Sequence, residues 1–275
     1  MSQSDMEIPL RRRGRPPGAG AEPAGEVQSL DRAAAILEVL AEADGTGLGE
    51  VARRLSLPTS TVHRLVATLE KREFVKLNAD TGLWTVGVGL FRIGCAYLRV
   101  RKLPEIGWPI IRELNLKLNE TVNLTVRDGR DVVCVAQAES HEPVRAFFRL
   151  GSHLPVHASG AAKAMLAALP EEPRRAWLSG VEFRRFTERT HADLASLEAD
   201  LAVSRQRGFA VDDEEHAVGM RCVAAAILDE NGAPVGAVSV SAPTIRMPPE
   251  RIETLGEAVG AAARRLTALY SGIAP

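Results

Sequence analysis

Cysteine is scarce in this chain: Cys95, Cys134 and Cys222 make three, an odd count with no CxxC pair. That excludes a disulfide framework and points to a reducing, cytoplasmic setting. No stretch reaches the ~18 apolar residues of a membrane span, and the N-terminus lacks the apolar core of a secretory signal. A membrane partner is therefore not expected. No internal repeat is evident, and the His, Cys, Asp and Glu spacings match no specific metal pattern. Neither a metal nor a cofactor is expected. What remains is ordinary globular composition, 45% hydrophobic and 25% charged over 275 residues, a length that suits two domains.

The net charge of −1 hides an asymmetry. Arg11 to Lys102 holds 15 Lys+Arg against 10 Asp+Glu, and the chain from Leu103 holds 19 against 23. A basic first third on an acidic remainder suits a nucleic-acid-binding module joined to something else, although a solvated surface alone gives the same mild imbalance. Residues 1–26, rich in Pro, Gly, Ala and Arg without periodicity, read as a disordered basic arm. Its run Arg11-Arg12-Arg13-Gly14-Arg15 resembles a minor-groove hook, with Arg13 and Arg15 as DNA contacts, or else serves as a solubilising tail.

Ser29 can cap a first helix with Leu30, Ala33, Ala34, Leu37 and Leu40 inward, ended by Asp44-Gly45. Leu48, Val51, Ala52 and Leu55 then recur at helical spacing, and Ser56-Leu57-Pro58 breaks the run because proline has no N–H to donate. A second helix over Pro58–Arg72 puts Val62, Leu65, Val66 and Leu69 on one face and Thr59, Ser60, Thr61, His63, Arg64 and Thr68 on the other. Two short helices around a tight break form a helix-turn-helix. Phe74–Leu77 and Leu83–Val86, joined by the turn-forming Asn78–Gly82, add a hairpin wing with Lys76 near its base. The module spans 27–88.

Residues 89–103 read as a linker helix with Leu90, Ile93, Ala96 or Tyr97, and Val100 inward, ended by Leu103-Pro104. The second domain, 104–275, opens with a helix over Glu105–Leu118, in which Pro109 is tolerated best near the first turn. Thr121–Val126, Asp131–Gln137 and Val144–Leu150 follow as an antiparallel meander. Helices are expected over Ser159–Leu169 and over Thr190–Arg207, the latter with Thr190 and Asp193 as a capping box and Gly208 as its stop. A hairpin of Val223–Leu228 and Val235–Ser241 precedes a long helix over Pro248–Tyr270. The fold class is α+β around an antiparallel sheet.

Four pieces of this domain carry chemistry. His157-Ala158-Ser159-Gly160-Ala161-Ala162-Lys163 opens a helix with small residues, so unobstructed N–H groups can hold an anion. Val211–His216 is acidic, Gly219–Cys222 brings an arginine and a thiol, and Ser239 and Ser241 face the same side of one strand. Each piece also has a plain structural reading, as close packing, an exposed acidic loop, an inert buried thiol or solvent-facing serines. Asp212, Asp213, His216, His157 and Cys222 are all metal-ligand types. Ser159 with Lys163 imitates a nucleophile pair, but no oxyanion donor or third member is identifiable, so no catalytic residue is assigned.

With these residues in view, the chain from about Val27 to Tyr270 resembles the IclR family of bacterial transcriptional regulators. The motifs that carry the resemblance are Val27-Gln28-Ser29-Leu30 with Ala33 and Ile36-Leu37; Leu57-Pro58-x-Ser60-Thr61-x-His63-Arg64-Leu65; Asn119–Asn123; His157-Ala158-Ser159-Gly160-x-x-Lys163-Ala164; and Asp212–His216 with Gly219, Arg221 and Cys222. The resemblance implies a winged-helix domain, a linker helix and a GAF-like effector domain, assembled as a homodimer or homotetramer on double-stranded operator DNA. It also implies a pocket in which Gly160 and Ala161 hold a small carboxylate and Asp212, Cys222, Ser239 and Ser241 complete the site.

Within the family the chain is most similar to the branch that senses glyoxylate and pyruvate and represses the glyoxylate bypass. It departs from that branch at the apolar flap of Pro143, Ala146 and Leu154, where the first two are smaller, leaving room for a longer ligand or for refilling by Phe147 or Phe148. A larger hydroxy or aromatic acid, an activator role, an enzymatic second domain, and a purely structural oligomerisation domain are the alternatives. On the DNA side, Thr59, Ser60, Thr61, His63 and Arg64 would meet base edges and phosphates, with Arg64 set for a bidentate guanine contact worth ~1–3 kcal/mol.

Overall fold

A computed structural model describes residues 27–100, 102–146 and 148–272, with the side chains of 98–100 left aside. The chain divides at Cys95/Ala96 into two compact units.

In the first unit, α1 (Gln28–Ala41), α2 (Leu48–Arg54) and α3 (Thr59–Glu70) pack around Ile36, Val39, Leu40, Val51, Val62, Val66, Leu69 and Val75. The break between α2 and α3 turns on Ser56, whose φ of 52° lets the Leu57 N–H reach Ala52 O at 2.9 Å. Pro58 then serves as the entry to α3. β1 (Val75–Leu77) and β2 (Trp84–Val86) form the wing, in register Val75↔Val86 and Leu77↔Trp84. Thr46 bridges to Trp84 and ties the loop after α1 to the wing. Gly87 is required where the wing returns, since a Cβ there would lie 2.2 Å from Glu73 O.

Ser29 does not cap α1; Val27 occupies that position without a side-chain bond. The inward stripe is Ile36, Val39 and Leu40, with Ala33 and Leu37 half-buried and Leu30 and Ala34 exposed. α4 (Val88–Val100) covers the expected linker, but Ile93 is exposed rather than inward, as is its neighbour Phe91.

The second unit is a three-layer sandwich. Its sheet, ordered β4-β3-β7-β6-β5, is antiparallel throughout, with β3 (Thr121–Asp128), β4 (Asp131–Ala138), β5 (Ala210–Asp213), β6 (Met220–Leu228) and β7 (Pro234–Pro243). Val122, Leu124 and Val126 of β3, Val223 and Ile227 of β6, and Val238 and Val240 of β7 pack on α5 (Lys102–Leu118) and α9 (Pro249–Ser271). The alternate face, with Ala210, Ala224 and Ala237, is covered by α6 (Gly160–Ala168), α7 (Glu171–Leu178) and α8 (Leu194–Arg207). Because strand side chains alternate, Asn123, Asp212, Cys222, Ser239 and Ser241 fall on the α6 side.

Four local expectations are corrected. The β3–β4 hairpin of the meander forms, but its third strand does not: Val144–Leu150 forms no strand among the described residues, and the other edge of β3 pairs with β7, over a hundred residues away. Residues 151–154 run along β4 instead, with Gly151 N–H donating to Cys134 O (2.7 Å) and Leu154 N–H to Val132 O (2.8 Å). α5 begins at Lys102, so Leu103-Pro104 opens it rather than ending α4, and Pro109 lies inside it. Glu105 and Pro109 are both exposed, so the carbonyl that proline cannot bond stays in water. α8 starts at Leu194 with Asp193 as its cap, whose carboxylate accepts from Ser196 N–H at 2.8 Å. Thr190 instead donates to Glu215 O at 2.6 Å. α7, which opens on Pro170 with Glu171 and Glu172 in its first turn, is not among the expected helices, and Gly208 ends α8 at φ 83° as expected.

Candidate functional site

Ser159 caps α6 by accepting the Ala162 N–H at 3.2 Å. Gly160 and Ala161 thus present backbone N–H groups for which the described residues supply no acceptor, at a helix end that carries partial positive charge. Both line a small inner chamber of about 20 Å³ together with Asp212, Cys222, Ser239, Ser241 and Leu154. Gly160 cannot be larger without crowding: an added Cβ would sit 3.2 Å from Cys222 Sγ and 3.3 Å from Cys222 O. A volume of this size holds about one water-sized group, so a ligand fills it with one small headgroup.

The polar groups around this chamber are buried and interlocked. Asp212 Oδ1 accepts from Glu215 N–H (2.8 Å) and His216 N–H (3.3 Å). Burial, then the charge of Glu215, pushes the Asp212 carboxyl up to about 7 against the pull of Lys163 and of those two donors. Burial and Asp212 push the Cys222 thiol up to about 12, so it stays protonated and inert as a nucleophile at neutral pH. Asn123, on the same strand face, donates to Ser241 Oγ at 3.4 Å and is itself held by Gln137 Nε2 at 2.7 Å.

An outer chamber of about 240 Å³ shares Phe148, Asp212, His216, Cys222 and Ser241 with the inner one and adds Ala146, Met220 and Arg145. Ala146 is therefore a wall of the outer chamber and Leu154 of the inner one. Thr121 Oγ1 pins the Ala146 carbonyl at 3.0 Å. Phe148 lines both chambers, while Phe147 lies outside the described residues. Burial first, then His157, lowers the His216 pKa, which keeps that ring neutral.

The nucleophile alternative loses its geometry. Ser159 Oγ is committed to the cap, and the Lys163 ammonium, fully buried, turns to Glu215 Oε1 and Asp200 Oδ2. His157 lines neither chamber; its Nε2 lies 2.9 Å from Arg184 O and its ring stacks with Phe186. Arg221 and Asp213 pair with each other. Of the lining residues, Asn123 is not among those expected, although strand alternation from Thr121 could have flagged it; Phe148, considered only as a filler of the flap, lines both chambers.

In the first unit, Thr59, Ser60, His63 and Arg64 are exposed on α3, with Thr61 half-buried and Lys76 exposed on β1. α3 starts at Pro58 with no side-chain cap, leaving its first N–H groups available to an anion. Arg13 and Arg15 lie outside the described residues.

These two arrangements coincide with two family matches. Residues 29–79 match the IclR helix-turn-helix domain, and residues 95–268 match the C-terminal domain of bacterial IclR transcriptional regulators. The chain belongs to the IclR family. It is similar to the HTH-type transcriptional regulator BhcR of Paracoccus denitrificans, 42% identical over 98% of this chain and 97% of that one. It is also similar to the transcriptional repressor IclR of Escherichia coli, 40% identical over 97% and 98% of the two chains. The crystal structure of Thermotoga maritima IclR superposes with a TM-score of 0.76 at 27% identity, covering 90% of this chain and all of that one. The protein is thus an IclR-family DNA-binding transcriptional regulator and not an enzyme. Among the described residues no helix is long and apolar enough to cross a membrane.

Proposed function

We propose that this regulator is a repressor of a catabolic or glyoxylate-bypass operon, released or retained by a small carboxylate such as glyoxylate or pyruvate. The observation that carries the reading is the inner chamber. Two open N–H groups at a helix start, two serine hydroxyls and a carboxyl that titrates near neutrality converge on a space the size of one headgroup. Gly160 and Ala161 hold the ligand carboxylate, while Asp212, Ser239 and Ser241 meet its carbonyl or hydroxyl oxygen. Cys222, Leu154 and Ala146 shape the walls.

On the DNA side, α3 enters the major groove with Thr59, Ser60, Thr61, His63 and Arg64, and Lys76 steadies the wing against the phosphates. Arg13 and Arg15 serve the adjacent minor groove. Val88, Phe91 and Ile93 of α4, all exposed and apolar, support assembly as a homodimer or homotetramer in the cytoplasm. Ligand binding then acts by changing how two α3 helices are spaced, which a dimeric reader of half-sites cannot tolerate.

A thermal-shift panel of glyoxylate, pyruvate and larger acids, followed by operator gel shifts with the hits, tests this. Stabilisation by glyoxylate or pyruvate together with altered operator affinity supports it; no response to any acid removes it. The outer chamber favours a second reading, a larger hydroxy or aromatic acid with its carboxylate in the inner chamber and its body against Ala146, Phe148 and Met220. Stabilisation by such acids alone would select that reading.

A further inference from the structure

Lys163 does more than fill space under α6. Its ammonium holds Glu215 Oε1 and lies 2.8 Å from Asp200 Oδ2 on α8. Next to this pair, from the loop that precedes α8, comes His191. Its Nε2 lies 3.7 Å from Asp200 Oδ2 and 3.6 Å from Glu215 Oε2. All three atoms are shut off from solvent; His191 Nε2 and Glu215 Oε2 have no hydrogen-bond partner among the described residues, and Asp200 Oδ2 has the Lys163 ammonium beside it. The Glu215 side chain is 7% exposed, so its orphaned oxygen points into the cluster rather than towards water. Buried polar atoms of this kind are rare without a partner.

The spacing decides what the missing partner is. A hydrogen bond from a protonated imidazole needs roughly 2.7–3.2 Å to one acceptor. Here the ring nitrogen stands farther than that from both oxygens and almost equally far from each. Ligand atoms about 2.0–2.2 Å from a tetrahedral ion lie about 3.4 Å from one another. The two His–carboxylate separations are within a few tenths of an ångström of that edge, and all three atoms lie within 4.8 Å of one another. An imidazole with two carboxylates, and no thiolate, is a donor set for a divalent ion of the zinc class. Lys163 holds the other Glu215 oxygen, which fixes the carboxylate's orientation as a metal's outer partners do.

We propose that His191, Asp200 and Glu215 form a divalent-cation site, separate from the carboxylate chambers and completed by water. It adjoins them through one turn, since the Glu215 N–H donates to Asp212 Oδ1 at 2.8 Å. A cation there clamps the start of α8 to the 212–216 turn and so steadies one wall of the effector site. His191, Asp200 and Glu215 line neither chamber, so cation and carboxylate bind without competing.

The test uses the full chain, stripped with a chelator and titrated with zinc chloride by calorimetry and with cobalt(II) by visible absorption. The expected result is one ion per chain, with tetrahedral cobalt bands and no thiolate charge-transfer band. His191→Gln and Asp200→Asn should each weaken uptake by more than about tenfold. Cys222→Ser and His216→Ala should leave uptake unchanged. Absence of stoichiometric uptake by the unmodified chain overturns the site. Uptake that survives His191→Gln, or that is lost with Cys222→Ser or accompanied by a thiolate band, also overturns it. Should a variant not fold, the cobalt spectrum of the unmodified chain still decides. Glyoxylate binding is measured on the same samples, so failure here is distinct from failure of the carboxylate reading.

Discussion

Asp212 and Cys222 are register partners in the β5–β6 ladder, and Cys222 is in turn the partner of Ser241 across β6–β7. Three polar side chains thus form one row across the sheet, beneath the opening turn of α6. A row of this kind positions a carboxyl, a thiol and a hydroxyl to within strand spacing, without any loop having to hold them.

That row makes effector binding depend on pH. The folded Asp212 has its pKa raised from 3.8 to about 7, so the protonated form is favoured in the fold. As pH rises from the unfolded value through 7, its ionisation costs stability and sets a negative charge beside an incoming carboxylate. Glyoxylate affinity should fall between pH 6 and 8.5, and binding should take up protons, detectable by calorimetry in buffers of different ionisation enthalpy. Asp212→Asn should flatten that slope. An affinity equal at both ends of the range would remove this role for Asp212.

Ser239 and Ser241 should matter to the ligand far more than to the fold. The two hydroxyls meet the ligand's neutral carbonyl or hydroxyl oxygen, where a hydrogen bond is worth about 0.5–1.5 kcal/mol, so losing both should weaken carboxylate binding by roughly tenfold. Their alanine double variant should unfold within a few degrees of the parent by calorimetry. Undiminished carboxylate affinity would show that the serines only fill the wall.

Arg64→Ala should abolish specific operator binding in a gel shift while the carboxylate-induced thermal shift survives. Arg64 is exposed on α3 beyond the buried stripe of Val62, Val66 and Leu69, so stability is not at stake. Operator affinity that is retained would place base recognition elsewhere.

A fourth prediction concerns the scaffold behind the site. Gly256 on α9 lies against Phe209, and a Cβ there would stand 2.3–2.5 Å from three ring carbons. Gly256→Ala must push the ring, or α9, away from the sheet. It should cost about 1–3 kcal/mol, read as a lower urea midpoint. An unchanged midpoint would mean that the ring moves freely, contrary to its burial.

Much of the site was legible because its chemistry sits on local patterns. The small residues after Ser159 announce an open helix start, and the spacing of Ser239 and Ser241 announces one strand face. The helix-turn-helix is legible for the same reason: a stripe of period 3.6 is interrupted by Pro58. The errors arise where a local pattern meets a distant partner. Val144–Leu150 has the composition of a strand, yet residues 151–154 take the edge of β4 it would have joined. Thr190 fits a capping box, yet Glu215 O and the N–H groups of Phe186 and Thr187 engage its hydroxyl first.

The sequence by itself determined the helix-turn-helix, most of the second unit's helices and strands, and the residues that carry polar chemistry, because periodicity and turn chemistry act over a few neighbours. Only the tertiary structure decided which of those residues meet. Ser239 reaches Asn123 through strand pairing across more than a hundred residues, and His191, Asp200 and Glu215 come together from three separate segments. Such contacts are set by burial of the two sheet faces against α5 and α9 on one side and α6 to α8 on the other. That burial is a property of the whole fold, and no stretch of chain carries it alone.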